Sequence, residues 1–366
     1  MESFGYGIIG CGWVSSAHAW GVKVAEQNGV RLVAVADRDL DRATQLGERF
    51  GADHIVKDYK AVLDRDDIAA VSICLPDFLH HEVALAAAAA GKHILCEKPL
   101  ALNIEQADQI LAACTEAGVG IGLIMNHRYF PDNIAVWSAI QRGALGRPLI
   151  ATAIHSSCLI GDPAWASDWR GKKGMAAGGI LTTQAIHFLD LLLWFGGPAA
   201  SVSAMVDTLV RHEQDYEDTA VVSLRLQSGA IASLTTTNGA PIEDDFTGTR
   251  LEVQGTTGYI MTEGDRLRFS VTSEGSDLRI DALPDLPEGA DEVIFGHGHI
   301  HEVGDFIRAV RNNERPPIPA SDGRHLMAVL EAAAESAATG RAIDIDEPTD
   351  AYRSSPPQGS LLGSQR

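Results

Sequence analysis

The sequence predicts a doubly wound α/β Rossmann domain with a parallel sheet, followed by an α+β domain with an open, mostly antiparallel sheet. From Phe4 to about Gly122, short apolar runs alternate with helical patterns, as they do in βαβ units. After Asn126, β-branched segments of alternating polarity follow at the close spacing of antiparallel neighbours. At 366 residues the chain also exceeds the roughly 250 at which one hydrophobic core stops growing.

These patterns place a Rossmann domain at residues 1–124 and an α+β domain at 125–352. The segment 353–366 is rich in Ser, Pro, Gly and Gln, so we expect it to be a tail. The apolar runs of the first domain predict strands at Tyr6–Ile9, Leu32–Ala36, Val71–Cys74, His93–Cys96 and Gly120–Leu123. The alanine-rich segment Glu82–Ala90 predicts a helix that Gly91 ends.

In the second domain, period-two alternation predicts five strands, at Val202–Asp207, Ala220–Leu226, Ile231–Thr237, Leu251–Gln254 and Leu267–Val271. Amphipathic patterns predict helices at Ile180–Trp194, Glu302–Asn312 and Asp322–Thr339. The helices are expected to cover one face of the open sheet, which leaves the other face for a partner subunit. We therefore expect a homodimer or homotetramer.

The composition excludes several classes of protein. With 29 basic and 49 acidic residues, the net charge of −20 opposes binding to nucleic acid or to an anionic membrane surface. The five cysteines form no CxxC pair, which indicates reduced thiols. The N-terminal residues do not form a signal peptide, and the apolar runs are shorter than the roughly 18 residues of a membrane span. We expect a cytoplasmic protein.

A glycine-rich turn, Gly7-Ile8-Ile9-Gly10-Cys11-Gly12-Trp13-Val14-Ser15, joins the first strand to the first helix. Gly10 and Gly12 allow the tight turn and the close approach of a pyrophosphate to the helix N-terminus. Ser15 replaces a third glycine, so its hydroxyl should bond to the backbone or the helix should lie farther from the strand. Asp37 ends the second strand, where an acid binds the adenosine ribose of NAD.

These features predict an NAD site that includes Trp13 and Val14. Arg38, beside Asp37, can accept a 2′-phosphate, so NADP stays open. Two more segments follow predicted parallel strands, Leu75-Pro76-Asp77-Phe78-Leu79-His80 and Glu97-Lys98-Pro99. Ligands bind at the carboxyl ends of such strands. The residues expected there are Leu75, Pro76, His80, Glu97 and Lys98, with the Lys98 ammonium directed at a substrate oxygen.

With these residues in register, the chain resembles the glucose-fructose oxidoreductase/inositol dehydrogenase (Gfo/Idh/MocA) family up to about Ile345. The triplet Glu97-Lys98-Pro99 matches that family's hallmark. The segment Asn126-His127-Arg128-Tyr129 resembles the entry to its second domain, and 178–190 resembles the helix on which an acid and a histidine four apart form its catalytic pair. The resemblance implies an NAD(H)-dependent oxidoreductase acting on a hydroxyl or keto group of a sugar-like molecule.

The sequence departs from the family pattern at Thr183, where many members carry aspartate. Thr183 and His187 are expected on one helix face, but a threonine hydroxyl supplies no negative charge to the histidine. The resemblance implies that His187 exchanges the hydroxyl proton, that Lys98 stabilises alkoxide character, and that Thr183 assists. The expected substrate residues are Lys98, Asn126, Arg128, Trp165, Thr183, Gln184 and His187. Asn126 and Arg170 are expected to border the cofactor.

The Thr183-Gln184 pair, with Trp169-Arg170-Gly171, most resembles members that act on glycosides or nucleotide sugars. This favours oxidation at C3 of a hexosyl ring. Three alternatives stay open: an inositol dehydrogenase, an enzyme that cleaves glycosides by oxidation and elimination while recycling NAD, and a non-catalytic NAD-responsive binding protein.

Two further features are assigned neither a metal-binding nor a catalytic role. The tract His297-Gly298-His299-Ile300-His301 resembles a metal-binding segment, but it contains glycine and precedes a helix. A substrate-facing or solvated loop is favoured, and no metal is expected. Asp190, near His187, is expected to make a structural hydrogen bond.

Overall fold

A computed structural model of the chain describes residues 3–157, 169–240, 249–263, 266–271, 289–290, 296–345 and 351–352. Three of the features named above lie outside these ranges: Trp165 as a substrate residue, Cys158 as a thiol, and the tail at 353–366. Among the described helices, none has both the length and the apolar character needed to cross a membrane.

The first sheet has six parallel strands in the order β3-β2-β1-β4-β5-β6. The strands are β1 Phe4–Ile9, β2 Val30–Ala36, β3 His54–Val56, β4 Ala70–Ile73, β5 His93–Cys96 and β6 Ile121–Leu123. The predicted Rossmann sheet is therefore confirmed. The sequence missed β3, which is short and only partly buried. Because the strand order reverses between β1 and β4, a crevice for ligands opens at their carboxyl ends.

Five helices connect these strands: α1 Ser15–Ala25, α2 Leu40–Phe50, α3 Lys60–Leu63, α4 Asp77–Ala89 and α5 Ile104–Ala117. The predicted helix at 82–90 is the later part of α4, which begins at Asp77, directly after Pro76. Gly91, with φ of 69°, has the left-handed conformation that ends such a helix. The early start of α4 matters because it brings Asp77 to the crevice.

The second sheet has eight strands in the order β13-β12-β11-β7-β10-β9-β8-β14. All neighbours are antiparallel except β7 and β10. The strands are β7 Pro148–Ser156, β8 Ala199–Asp207, β9 Thr219–Leu226, β10 Ile231–Thr237, β11 Arg250–Gly255, β12 Gly258–Glu263, β13 Arg266–Val271 and β14 Ile343–Asp344. The mostly antiparallel sheet is confirmed, although β7, β12 and β14 were not predicted.

The later helices are α6 Pro131–Gln141, α7 Ile180–Thr183, α8 Ile186–Gly196, α9 Gly296–Arg311 and α10 Ala320–Thr339. The prediction of one helix over 180–194 is wrong, because the chain leaves helical geometry at Gln184 with φ of −124° and ψ of −51°. Helix α8 is buried along nearly its whole length and packs against β7 and β10. It carries His187 into the crevice between the two sheets.

Helix α9 returns from the second sheet to the first. Its Val303 and Phe306 share a hydrophobic cluster with Tyr6 and Ile8 of β1. The helix lies so close to α1 that a Cβ added at Gly21 would be 2.5 Å from the Cβ of Val303. The first residues of α9 therefore reach the carboxyl end of the parallel sheet.

Candidate active site

The glycine-rich turn leaves space at the start of α1. Gly10 has φ of 94°, and a Cβ there would lie 2.3 Å from the carbonyl oxygen of Cys74, so only glycine fits. A Cβ at Gly12 would meet no atom within 4 Å. The Ser15 hydroxyl donates to the carbonyl of Gly12 at 2.5 Å, which confirms the expected backbone partner.

Asp37 lies against this turn. Its Oδ2 accepts from the Cys11 amide at 2.7 Å, and its Oδ1 accepts from the Asp39 amide at 2.8 Å. These two bonds fix a negative charge beside the start of α1. The neighbouring Arg38 side chain is exposed. A carboxylate in this place suits ribose hydroxyls and opposes a 2′-phosphate.

Glu97 and Lys98 follow β5 into the crevice. Glu97 is buried and accepts hydrogen bonds from His18, His299 and the Lys98 amide. The half-buried Lys98 extends toward α7, where its Nζ donates to the carbonyl of Thr183 at 2.5 Å. Burial lowers the pKa of Lys98, while the charges of Glu97 and Asp77 oppose that fall. The ammonium is therefore held between the Rossmann domain and α7.

His187 lies close to Lys98 and stacks on His127, with ring centroids 4.4 Å apart and an interplanar angle of 18°. Burial, reinforced by His127 and Lys98, holds the pKa of His187 well below its usual value. Burial also lowers the pKa of His127 to about 3. Within the described residues, Nδ1 of His187 has no hydrogen-bond partner. Two neutral imidazoles and one ammonium can together bind an oxygen and exchange its proton.

Comparison with known proteins identifies this arrangement. Residues 4–125 match the model of the oxidoreductase family with an NAD-binding Rossmann fold (GFO_IDH_MocA), and residues 134–261 match the GFO/IDH/MocA C-terminal domain. Together the two models cover more than half of the chain. The chain belongs to the Gfo/Idh/MocA family. Its members are oxidoreductases. The predicted family, the predicted enzyme class and the predicted NAD cofactor are therefore confirmed.

Several relatives in this family act on sugars or cyclitols by name. Levoglucosan dehydrogenase of Pseudarthrobacter phenanthrenivorans is 26% identical, with 95% of this chain and 99% of the relative covered. Myo-inositol 2-dehydrogenase of Thermotoga maritima is 28% identical, with 93% and 98% covered. A solved levoglucosan dehydrogenase in complex with NADH and levoglucosan superposes with a TM-score of 0.84 at 25% identity, covering 94% of this chain and all of that chain.

The residues of this Gfo/Idh/MocA chain fit NAD. The open space at Gly12, at the start of α1, has room for a pyrophosphate, and Asp37 is placed for the adenosine ribose. Trp13 is 63% exposed beside this space. Leu75 and Pro76 come directly after β4, the strand that neighbours β1 in the sheet. The nicotinamide half would lie there. The roles of Trp13, Val14, Arg38, Leu75 and Pro76 stay predictions.

One predicted cofactor residue is corrected, and a second has protein donors of its own. His80 is fully buried, and its Nδ1 and Nε2 lie 2.7 and 2.8 Å from the carbonyl oxygens of Pro99 and Leu75. The prediction that it contacts the cofactor is therefore wrong, and it instead joins the loop after β4 to the loop after β5. Glu97 accepts from protein donors on both carboxylate oxygens. Its predicted contact with NAD stays a prediction.

The prediction that Thr183 and His187 share one helix face is also wrong, while the role of the Thr183 hydroxyl stays a prediction. Because the helix breaks after Thr183, this residue and His187 do not share one continuous helix face. The Thr183 hydroxyl donates to the carbonyl of Gly179 at 2.9 Å. The group that Thr183 offers to the site is its backbone carbonyl, which accepts from Lys98.

Arg128 is not a substrate residue. Its guanidinium is buried, donating to both oxygens of Asp190 at 2.6 and 2.8 Å and to Asp322 at 2.9 Å. The expected structural role of Asp190 is confirmed. Asn126 is buried where the second domain begins, and Gln184 and Arg170 are half-buried. Their assignments to substrate or cofactor stay predictions.

Sequence reasoning missed two histidines and one acid. His127 lies in the segment 126–129 but was not predicted as a site residue. The signal that could have found it was its position directly after the predicted site residue Asn126. His299 belonged to a tract interpreted as a loop, whereas it lies inside α9 against Glu97. Asp77, whose Oδ2 accepts from the Ala177 amide at 3.2 Å, links the start of α4 to the second domain.

Proposed function

We propose that this enzyme transfers a hydride between NAD(H) and a secondary alcohol, or the matching ketone, of a ring sugar. The observation that carries this proposal is the convergence of the Lys98 ammonium and the neutral His187 imidazole at the carboxyl end of β5. NAD, when bound, supplies the hydride acceptor, and the remaining chemistry belongs to side chains of this chain.

His187 is the proton acceptor in the oxidation. Its lowered pKa leaves the imidazole uncharged at neutral pH and able to take the hydroxyl proton as the C–H hydride leaves the same carbon. In the reverse reaction the ring returns that proton to the alkoxide. The stacked ring of His127 restricts the orientation of His187.

Lys98 binds the reacting oxygen. One of the three ammonium hydrogens is bonded to the Thr183 carbonyl, which leaves two for a substrate oxygen. The charge is in place before the alkoxide develops, so little reorganisation is needed during the reaction. Asp77 and Glu97 favour the charged amine against the effect of burial.

The substrate class is a polyhydroxylated ring, with C3 of a hexosyl ring in a sugar, glycoside or nucleotide sugar as the preferred position. The buried Asn126 and half-buried Gln184 supply amides that can both donate to and accept from ring hydroxyls. Relatives named for levoglucosan and apiose support a sugar. An inositol is the second candidate, supported by the 28% identical myo-inositol 2-dehydrogenase.

The test is a substrate screen with the purified enzyme. NAD and NADP are each combined with levoglucosan, glycosides, inositols and nucleotide sugars, and reduced nicotinamide is followed by absorbance. We expect NADH to accumulate with one ring class, and the oxidised carbon is then located by NMR of the product. His187→Gln is expected to lose roughly 100- to 10,000-fold in kcat with NAD affinity retained.

Three results would contradict the proposal. Cleavage of a glycoside without net NADH would identify an NAD-recycling oxidation and elimination. Tight NAD binding with no turnover of any substrate or ketone would identify a non-catalytic binding protein. Full activity in His187→Gln would exclude His187 as the acid–base group.

We also propose a cytoplasmic homodimer or homotetramer that binds neither nucleic acid nor membrane. Exposed apolar side chains on the second sheet support self-association, among them Ile150, Ile154, Met205, Val221 and Ile231. Sedimentation of the wild type against Ile154→Glu tests this. A monomeric wild type would overturn it.

A further inference from the structure

A buried cluster of hydrogen bonds lies directly behind Lys98. Oε1 of Glu97 is 3.1 Å from Nε2 of His18 and 3.2 Å from Nε2 of His299. Oε2 of Glu97 accepts from the Lys98 amide at 3.1 Å. His18 comes from α1 and His299 from α9, so two helices that are distant in sequence converge on the residue preceding Lys98.

The hydrogen bonds in this cluster run in one direction. A carboxylate only accepts, so Nε2 of His18 donates to Glu97. Burial lowers the pKa of His18, and a neutral ring leaves Nδ1 as an acceptor. The Ser72 hydroxyl, 2.8 Å away, therefore donates to Nδ1 and accepts in turn from the Tyr6 hydroxyl at 2.8 Å. The series ends on Glu97, which receives a donor on each oxygen.

These donors keep Glu97 ionised. Burial alone would raise the pKa of Glu97, but the bonds from His18 and His299 outweigh burial and hold the pKa well below its usual value. The ionised carboxylate then favours the charged form of Lys98. Among the described residues, the other titratable groups that act on this site are Cys74, Asp77, His127, Arg170, His187 and Glu302.

We propose that His18 and His299 are positioning residues that hold Glu97 as a carboxylate, and that this carboxylate keeps the Lys98 ammonium charged and oriented. The inference rests on the proposed role of Lys98 in binding the reacting oxygen. Through His299, helix α9 then helps to set the charge of Lys98, although the two are far apart in the sequence. Neither histidine needs to touch the substrate.

The same three side chains could instead ligate a metal, because their ligand atoms lie within 4.8 Å of one another. Two observations favour the hydrogen-bonded arrangement. Each Nε2 already has an acceptor in Glu97, and the site adjoins an ammonium, which repels a dication. Metal analysis of the purified protein is therefore part of the test.

The experiment compares His299→Met, which removes the donor, with His299→Gln, whose amide N–H can replace Nε2. Infrared difference spectra against Glu97→Gln report the ionisation of Glu97 in the resting enzyme, without turnover. We expect Glu97 in the wild type and in His299→Gln to stay ionised down to acid unfolding. In His299→Met the pKa of Glu97 should rise by about one to two pH units, because the carboxylate loses one hydrogen-bond donor.

The acid limb of kcat/KM should move with the infrared titration in His299→Met. His18→Gln against His18→Met repeats the comparison if the first pair folds poorly. An unchanged Glu97 titration in both Met variants, or stoichiometric zinc in the wild type that the variants lose, would overturn the inference. If wild-type turnover is absent, or Lys98→Met remains active, the proposed function fails while the infrared result still tests the hold on Glu97.

Discussion

At the scale of single residues, hydrogen-bond partners decide the charge of a buried histidine in this enzyme. His80 and His187 are both buried, yet their pKa values shift in opposite directions. His80 lies between two carbonyl oxygens, and carbonyls only accept, so both ring nitrogens must carry hydrogen. His187 faces another histidine and a lysine, which disfavour charge. One residue type thus supplies a fixed cation and a neutral base.

The imidazolium of His80 leads to a prediction about stability. Although burial opposes the charge, nearby Cys96 and Asp77 and the Pro99 carbonyl raise the pKa of His80 from 6.5 to about 10. A pKa raised by folding stabilises the protein fully below about pH 6.5, and this contribution is lost as pH rises toward 10. We expect His80→Leu to lower the free energy of unfolding by about 1–3 kcal/mol at pH 6, with two buried carbonyls left without donors.

Urea unfolding of wild type and His80→Leu at pH 6, 8 and 10 measures this difference, and it should shrink steadily over the series. His54→Leu, which replaces an exposed histidine on β3, is the control and should change the free energy of unfolding only slightly. A His80→Leu difference that stays constant to pH 10 would mean that His80 is neutral in the folded enzyme.

At the scale of elements, the break between α7 and α8 turns a backbone carbonyl into a site group. A continuous helix would bond the Thr183 carbonyl to an amide one turn further on. The break at Gln184 frees this carbonyl to accept from Lys98. The Thr183 hydroxyl bonds back to Gly179 and stabilises the short helix. On the α7 side, a backbone carbonyl therefore holds the lysine, in addition to the carboxylate of Glu97.

This arrangement predicts a modest effect for Thr183→Val. The variant keeps the carbonyl and loses only the bond to Gly179, so we expect less than about tenfold loss of kcat and about 1 kcal/mol of stability. Steady-state kinetics and thermal unfolding of the same preparation measure both quantities. A loss comparable to that of His187→Gln would show that the hydroxyl itself takes part in proton transfer.

The sequence predicted strands better than the geometry of the site. Apolar runs such as Leu32–Ala36 are buried on both faces of a parallel sheet, so their pattern alone identifies them. The break at Gln184 escaped prediction because apolar residues keep helical spacing on both sides of it. His299 escaped because its partner, Glu97, is distant in sequence, and only the packing of α9 on α1 brings the two together.

At the scale of the whole molecule, Arg128 joins segments that are far apart in the chain. It lies just after β6 and bonds to Asp190 on α8 and to Asp322 on α10. Tyr352 closes this group, since its hydroxyl donates to Asp190 and its amide donates to Asp322. The guanidinium also lies 4.9 Å from the centroid of the Tyr352 ring. The segment after β6, α8, α10 and residues 351–352 are thus held together by charge as well as by apolar packing.

Removing the guanidinium should therefore weaken the whole structure. In Arg128→Met two carboxylates stay buried without their cation, which costs about 3–5 kcal/mol. Burial already raises the pKa of Asp190 and Arg128 opposes that rise, so the pKa of Asp190 should rise further in the variant. The variant should therefore be relatively more stable near pH 5 and lose that advantage as pH rises. Arg324→Met, which removes the exposed pair with Asp108, is the control and should cost about 1 kcal/mol or less. Denaturant unfolding at pH 5 and pH 8 measures all of these values. If Arg128→Met costs no more than Arg324→Met, apolar packing alone holds α8 and α10 against the segment after β6, and Asp190 and Asp322 need no cation.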